Sequence, residues 1–258
     1  MSTYYNEFDH FAANWLRNLG EAGHIAKGEV DERSIKAVAG ADLAGVRRAH
    51  FFAGIGGWDL ALRLAGWPDD AEAWTGSCPC QPYSSVSKVR RGNNDSRNVW
   101  PEFFRLIEER RPSTVFGEQV ASPDGETWFH GVRLDLESIG YAVGGANLCS
   151  AGVGAPLLSQ RLFWVAEAEG VRREQAFRDE PAAESPWEKT GLIMATGENL
   201  RGKRWRFKPG VEPLADGFPG RVERLRGYGN AICPQVAAEF IRAYMNTQGI
   251  AAPAPEPK

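Results

Sequence analysis

The stretch that most constrains this chain runs from Arg48 to Gly66. Arg48 to Ala53 reads as a buried strand, Gly54-Ile55-Gly56-Gly57 as a turn, and Asp59 to Ala65 as a helix stopped by Gly66. The same rhythm recurs downstream. Ala73 to Gly76 is a short strand ending at Ser77-Cys78-Pro79-Cys80, and Pro101 to Arg110 is a helix with proline near its start and Pro112 just past its end. Thr114 to Phe116 is a strand, followed by a turn and a helix over roughly 128–139. Tyr141 to Cys149 and Arg161 to Ala166 read as strands, and Pro234 to Met245 as an amphipathic helix carrying Val236, Phe240, Ile241 and Tyr244. Upstream, His10 to Ala22 reads as a helix capped by Asp9, with Phe11, Trp15, Leu16 and Leu19 on one face. Strands alternating with helices predict an α/β fold with a doubly wound, mainly parallel sheet.

The 258 residues suit one α/β catalytic domain with a small appendage, or two small domains. At 43% hydrophobic residues the chain can bury a sizeable core, and most of the nine tryptophans read as core or recognition surface. The net charge of −3 does not announce a nucleic-acid binder. The basic residues do cluster, at Lys88, Arg90, Arg91 and Arg97, at Arg201, Lys203, Arg204, Arg206 and Lys208, and at Arg221, Arg224 and Arg226. A solvated face and a basic groove both account for such clusters. Of the four cysteines, Cys78 and Cys80 are too close for a zinc knuckle, so no metal site is expected. With neither a signal peptide nor an apolar run of membrane-spanning length, a cytoplasmic protein with reduced thiols is expected. Residues 167–210 are charged and irregular and read as an insertion, and 251–258 as a disordered Pro/Ala-rich tail.

Several strand ends carry chemistry. Glycines at 54, 56 and 57 let a ligand approach the backbone at a helix N-terminus. Cys80 sits past the end of a strand, in a loop stiffened by Pro79 and Pro82. Glu118 follows the next strand, Arg161 opens a later one, and Gly229-Asn230-Ala231-Ile232 precedes the last helix. Singly these are bland: a structural cysteine, a strand-end acid, a surface charge. Together, the glycine turn, Pro-Cys-Gln-Pro, the glutamate, the arginine before an aromatic strand and Gly-Asn-Ala-Ile resemble the DNA cytosine-5 methyltransferases. The resemblance spans most of the chain outside 167–210.

Two features depart from that family. Pro79 follows Gly57 by only 22 positions, where the family fits two further strands that hold the cofactor ribose and adenine. The N-terminus carries a matching set. Asn6-Glu7-Phe8-Asp9 before a helix resembles the second-strand motif, and Gly28-Glu29-Val30 the third, with Glu29 where Asp is usual. The expectation is a Rossmann-like methyltransferase sheet, locally permuted, with the second and third strands ahead of the first. An unrelated helical cap over 1–45 is the alternative. The second departure is Ser159, which stands where the family often has another basic residue.

The resemblance implies the following. Cys80 attacks carbon 6 of a flipped-out cytosine, Glu118 holds the ring N3 and amine, and Arg161 holds the ring oxygen. S-adenosyl-L-methionine is the donor. Phe52, Gly54, Ile55, Gly56, Gly57, Glu7, Phe8, Glu29, Val30, Pro79, Trp100 and Asn230 match cofactor-lining positions, Trp100 replacing a usual aliphatic residue. Double-stranded DNA is the partner of a monomer in a bacterial or phage-infected cell, held by Gln81, Ser84, Lys88, Arg90, Arg91, Arg97, Arg201, Lys203, Arg204 and Arg206. The catalytic domain is expected over 1–166 and 211–250, with a small target-recognition insertion at 167–210. A DNA-binding relative without turnover, an RNA cytosine methyltransferase and a larger alkyl donor remain alternatives.

Overall fold

The strand that enters the glycine turn lies inside a seven-stranded sheet. The protein, a computed structural model, is described over residues 3–79, 98–154, 159–169 and 231–250. In chain order its elements are β1 (Thr3–Asn6), α1 (His10–Glu21), β2 (Gly28–Asp31), β3 (Arg48–Phe51), α2 (Gly57–Ala65), β4 (Ala73–Gly76), α3 (Trp100–Arg110), β5 (Thr114–Val120), α4 (Pro123–Ser138), β6 (Tyr141–Cys149), β7 (Gln160–Ala168) and α5 (Pro234–Thr247). The strand order is β2-β1-β3-β4-β5-β7-β6. The first five strands are parallel, and β7 runs antiparallel to both of its neighbours.

Residues 1–45 therefore do not form a helical cap. They supply two parallel strands that extend the sheet beside β3, with α1 as their crossover. Asp9 caps α1 as its sequence predicts, its carboxylate accepting from the Ala12 amide at 3.1 Å.

Side-chain alternation along the strands divides the core in two. Tyr4, Ala49, Phe51, Val115, Trp164 and Ala166 face one side and pack under α3 and α4, where Phe103, Leu106, Ile107, Trp128 and Leu136 complete the layer. Phe116 and Phe163 face the other side and meet Trp58, Leu62, Val236, Ile241 and Tyr244 of α2 and α5. Phe103 is fully buried against Phe51 and Trp100, and truncating it to alanine would cost about 3–5 kcal/mol. Gly117 has no side chain for a reason visible in the packing: a Cβ there would collide with the indole of Trp164.

Two elements outrun the bounds predicted from sequence most clearly. β5 continues to Val120 because every residue from Thr114 onward pairs with β7, which itself spans 160–168. α4 starts at Pro123, with Ser122 accepting from the Gly125 amide and Asp124 and Glu126 in the first turn. That cap, proline and acid pattern is a standard helix start. Among the described residues, no helix is long and apolar enough to cross a membrane.

Candidate active site

Strand register builds the site before any side chain does. Asn6 pairs with both Asp31 and Phe51, Phe51 with Gly76, and Gly76 with Gly117. These residues form one row across five strands. The next residue along each chain then falls on one edge of the sheet: Glu7, Phe52, Ser77 and Glu118. Arg161 reaches the same edge from the start of the reversed strand, opposite Val120. This is the carboxyl edge of the parallel strands, where open α/β sheets place their ligands.

The glycine turn is tightly wound. Gly54 has φ 56° and Gly56 has φ 80°, a region open to glycine at little cost. Phe52 adopts φ 52° without that freedom, and such local strain concentrates at functional sites. Glu7 locks onto this turn: one carboxylate oxygen accepts from the Gly54 amide at 2.7 Å, the other from the Asp9 amide at 2.9 Å. Beside it Phe8 is 75% exposed, a large ring presented to solvent at the sheet edge.

Other expected cofactor residues sit differently. Glu29 is exposed on β2 opposite Tyr4, two residues short of the edge row, and Val30 packs beside Tyr5, Leu16, Ile25 and Ala53. The position of β2 in the row with Asn6 belongs to Asp31, which accepts from the Tyr4 hydroxyl at 2.7 Å and pairs with Arg33 at 2.7 Å. Trp100 is held in the core among Phe103, Phe104, Trp128 and Trp164, its indole N–H donating to Asp135 at 2.7 Å.

The cysteine loop begins at Ser77. Cys78 is buried, and burial alone pushes its thiol far above the ordinary cysteine range. A thiol that stays protonated is a poor nucleophile, so Cys78 serves packing. The Gln119 amide donates to the Cys78 carbonyl at 3.4 Å and ties the loop to β5. Pro79 is exposed. Cys80, Gln81, Ser84, Lys88, Arg90, Arg91, Arg97, Arg201, Lys203, Arg204, Arg206 and Asn230 lie outside the described residues, as does the insertion beyond residue 169.

Glu118 and Arg161 meet as a diagonal cross-strand pair, Arg161 Nε to Glu118 Oε1 at 2.7 Å. The Glu118 side chain is 12% exposed. Burial raises its carboxyl to about 7 even though the guanidinium opposes the shift. Near neutral pH this carboxyl exists in both protonation states, which suits a group that must hold or give a proton.

One cavity of about 770 Å³ joins the two halves of the site. Its lining includes Ile55, Gly56 and Gly57 of the turn, Ser159 and Arg161, and Ile232 from the approach to α5. Gly57 and Ile232 are close enough that a Cβ at 57 would stand 2.8 Å from Ile232 Cγ1. The cavity also takes in Trp15 and Leu19 of α1, which the sequence reading assigned only to an apolar helix face. The sequence shows only that Phe11, Trp15, Leu16 and Leu19 share a face; that only Leu16 of these is fully packed inside is visible in the structure alone.

Comparison with known proteins agrees with the residue pattern. The sequence model of the C-5 cytosine-specific DNA methylase family matches residues 67–208. Type II methyltransferase M.NgoMIV of Neisseria gonorrhoeae is 29% identical over 111 residues, 42% of this chain and 35% of that protein. Type II methyltransferase M.AluI of Cellulosimicrobium cellulans is 31% identical over 136 residues, 47% of this chain and 26% of that protein. This chain thus covers about a third and a quarter of the length of these curated relatives. A crystal structure of a Spodoptera frugiperda DNMT2 mutant aligns with TM-score 0.46 and 15% identity, over 69% of this chain and 46% of that one.

Proposed function

The chain belongs to the C-5 cytosine-specific DNA methylase family, and from that premise we propose that it transfers a methyl group from S-adenosylmethionine to carbon 5 of cytosine in double-stranded DNA. The observation that carries this reading is the shared edge row. It puts the glycine turn, the start of the cysteine loop and the Glu118–Arg161 pair at one edge of neighbouring strands, and the turn and Arg161 line one cavity.

The residues present fit the donor. The turn around Gly54 and Gly56 is a close-approach backbone, Glu7 is a carboxylate able to accept from ribose hydroxyls, and exposed Phe8 offers a face for adenine. S-adenosylmethionine, when bound, supplies an electrophilic methyl on a sulfonium. On this reading β1 and β2 are the family's second and third strands, moved ahead of the first. The parallel register of β1 with β3 and the Glu7–Gly54 bond support that rearrangement.

The chain's own groups supply the rest. The target base is flipped from the duplex at a cost of about a few kcal/mol. The Cys80 thiolate adds to carbon 6, and Arg161 beside the ring oxygen helps to keep the sulfur ionised. As sulfur adds, charge grows on the ring nitrogen, and protonated Glu118 donates to N3. Carbon 5, then enamine-like, would take the methyl, the donor's sulfonium leaving as a neutral thioether. A base removes the carbon 5 proton, the carbon–sulfur bond breaks to release the Cys80 thiolate, and N3 returns its proton to Glu118. Residues 88–97 and 201–206 hold the DNA backbone, and 167–210 form a small recognition region.

Incorporation of labelled methyl from S-adenosylmethionine into duplex DNA, with an RNA of equal length in parallel, tests the proposal. The reading expects 5-methylcytosine in the duplex and loss of at least about a thousandfold in rate for Cys80→Ser, with donor affinity within twofold. Label in RNA alone, or wild-type-like turnover by the serine variant, would overturn it.

A further inference from the structure

Trp58, the first residue after the glycine turn, touches more of the site than its place in a helix requires. It is buried at 3% exposure. Its ring lies between Phe116 of β5, stacked with centroids 6.2 Å apart, and Phe163 of β7, edge-on at 6.1 Å. Phe116 and Phe163 each stand two residues along their strands from Glu118 and Arg161, on the same side of the sheet. The indole N–H of Trp58 donates to the Ser77 hydroxyl at 2.9 Å. Ser77 is the first residue of the cysteine loop, three before Cys80.

We infer that Trp58 is a positioning residue for methyl transfer, setting the Cys80 loop against the Glu118–Arg161 pair through its hydrogen bond to Ser77. The aromatic clamp fixes the indole plane, so its single donor is aimed before any ligand arrives. Two further anchors act on the next residue: Cys78 packs into the core, and Gln119 bonds its carbonyl. Without the Ser77 bond, residues 77–79 keep those anchors but lose a link to the glycine turn. A misplacement of about 1 Å at a nucleophile is enough to slow transfer markedly.

The inference rests on the reading of Cys80 as nucleophile, and a small set of variants separates the two. Trp58→Phe keeps the ring and deletes the donor, Ser77→Ala deletes the acceptor, and Ser77→Thr keeps a hydroxyl. Each single deletion is expected to lower the single-turnover rate at saturating donor about 3- to 10-fold, the scale of one hydrogen bond. Donor dissociation constants should stay within twofold, Ser77→Thr should restore most of the rate, and the double variant should be no slower than the slower single. Unchanged rates in Ser77→Ala, an equal loss in the threonine variant, or additive losses would overturn the inference. Because Ser77→Ala removes only an oxygen atom, the test survives if Trp58→Phe folds poorly. Should Cys80→Ser retain transfer, the nucleophile reading itself fails, whatever these variants do.

Discussion

Two carboxylates mark the opposite ends of the site, and their surroundings differ in kind. Glu7, past the end of β1, is held by two backbone amides, one of them from the glycine turn. Glu118, on β5, is almost enclosed, meets one guanidinium, and has its carboxyl raised to about 7. Backbone amides favour the ionised form of an acid, whereas enclosure favours the neutral form. On the proposed function the difference matches two roles. Glu7, oriented by backbone amides, would be the acceptor for ribose hydroxyls. Glu118, with its raised carboxyl, would be the group that faces the developing ring anion.

Substitutions should separate the two ends. The largest effect is expected at Glu118→Ala, where the maximal single-turnover rate falls about 100- to 1,000-fold while the donor dissociation constant barely moves. A loss confined to donor binding would merge the two roles. Glu7→Ala should do the reverse, weakening S-adenosylmethionine by about 1–3 kcal/mol with the rate at saturating donor preserved within a few-fold, as titration calorimetry would show. An unchanged dissociation constant there would count against the rearranged-strand reading.

The smallest effect concerns stability. The Glu118 carboxyl is raised from its ordinary 4.5 to about 7 in the folded protein. Between those values the native state binds more protons than the unfolded chain, so this group favours folding below about pH 4.5 and loses that contribution as pH climbs through 7. Urea unfolding of wild type should therefore weaken between pH 5 and pH 8 by about 1–3 kcal/mol more than that of Glu118→Gln, which has no proton to lose. Parallel pH curves for the two proteins would show that Glu118 is solvated.

Much of this was legible in the sequence, and the exceptions have physical causes. Tyr141–Cys149 and Ala73–Gly76 were readable to the residue because turn formers bound them. Asp9 announced α1 because a cap is a local interaction. The β5 extension through Glu118 was not readable, since a run with glycine in it becomes strand only when β7 pairs alongside. The Glu118–Arg161 contact joins residues 43 apart, and nothing local encodes it. Pro-Cys-Gln-Pro picks out Cys80 over Cys78 in sequence, but that the Cys78 thiol is buried is shown only by packing. Trp58 lies just ahead of the helix that the sequence predicts from Asp59 and nothing local marks it, because the direction of its indole depends on Phe116 and Phe163 from other strands.

The most direct test of the account is to offer the protein duplex DNA carrying 5-fluorocytosine, together with S-adenosylmethionine, and to run the mixture on a denaturing gel. If sulfur adds to carbon 6 before the methyl is delivered, fluorine cannot leave as a proton does, and protein and DNA should migrate as one species that Cys80→Ser does not form. Clean separation of wild-type protein from DNA that has nevertheless been methylated would contradict the covalent route.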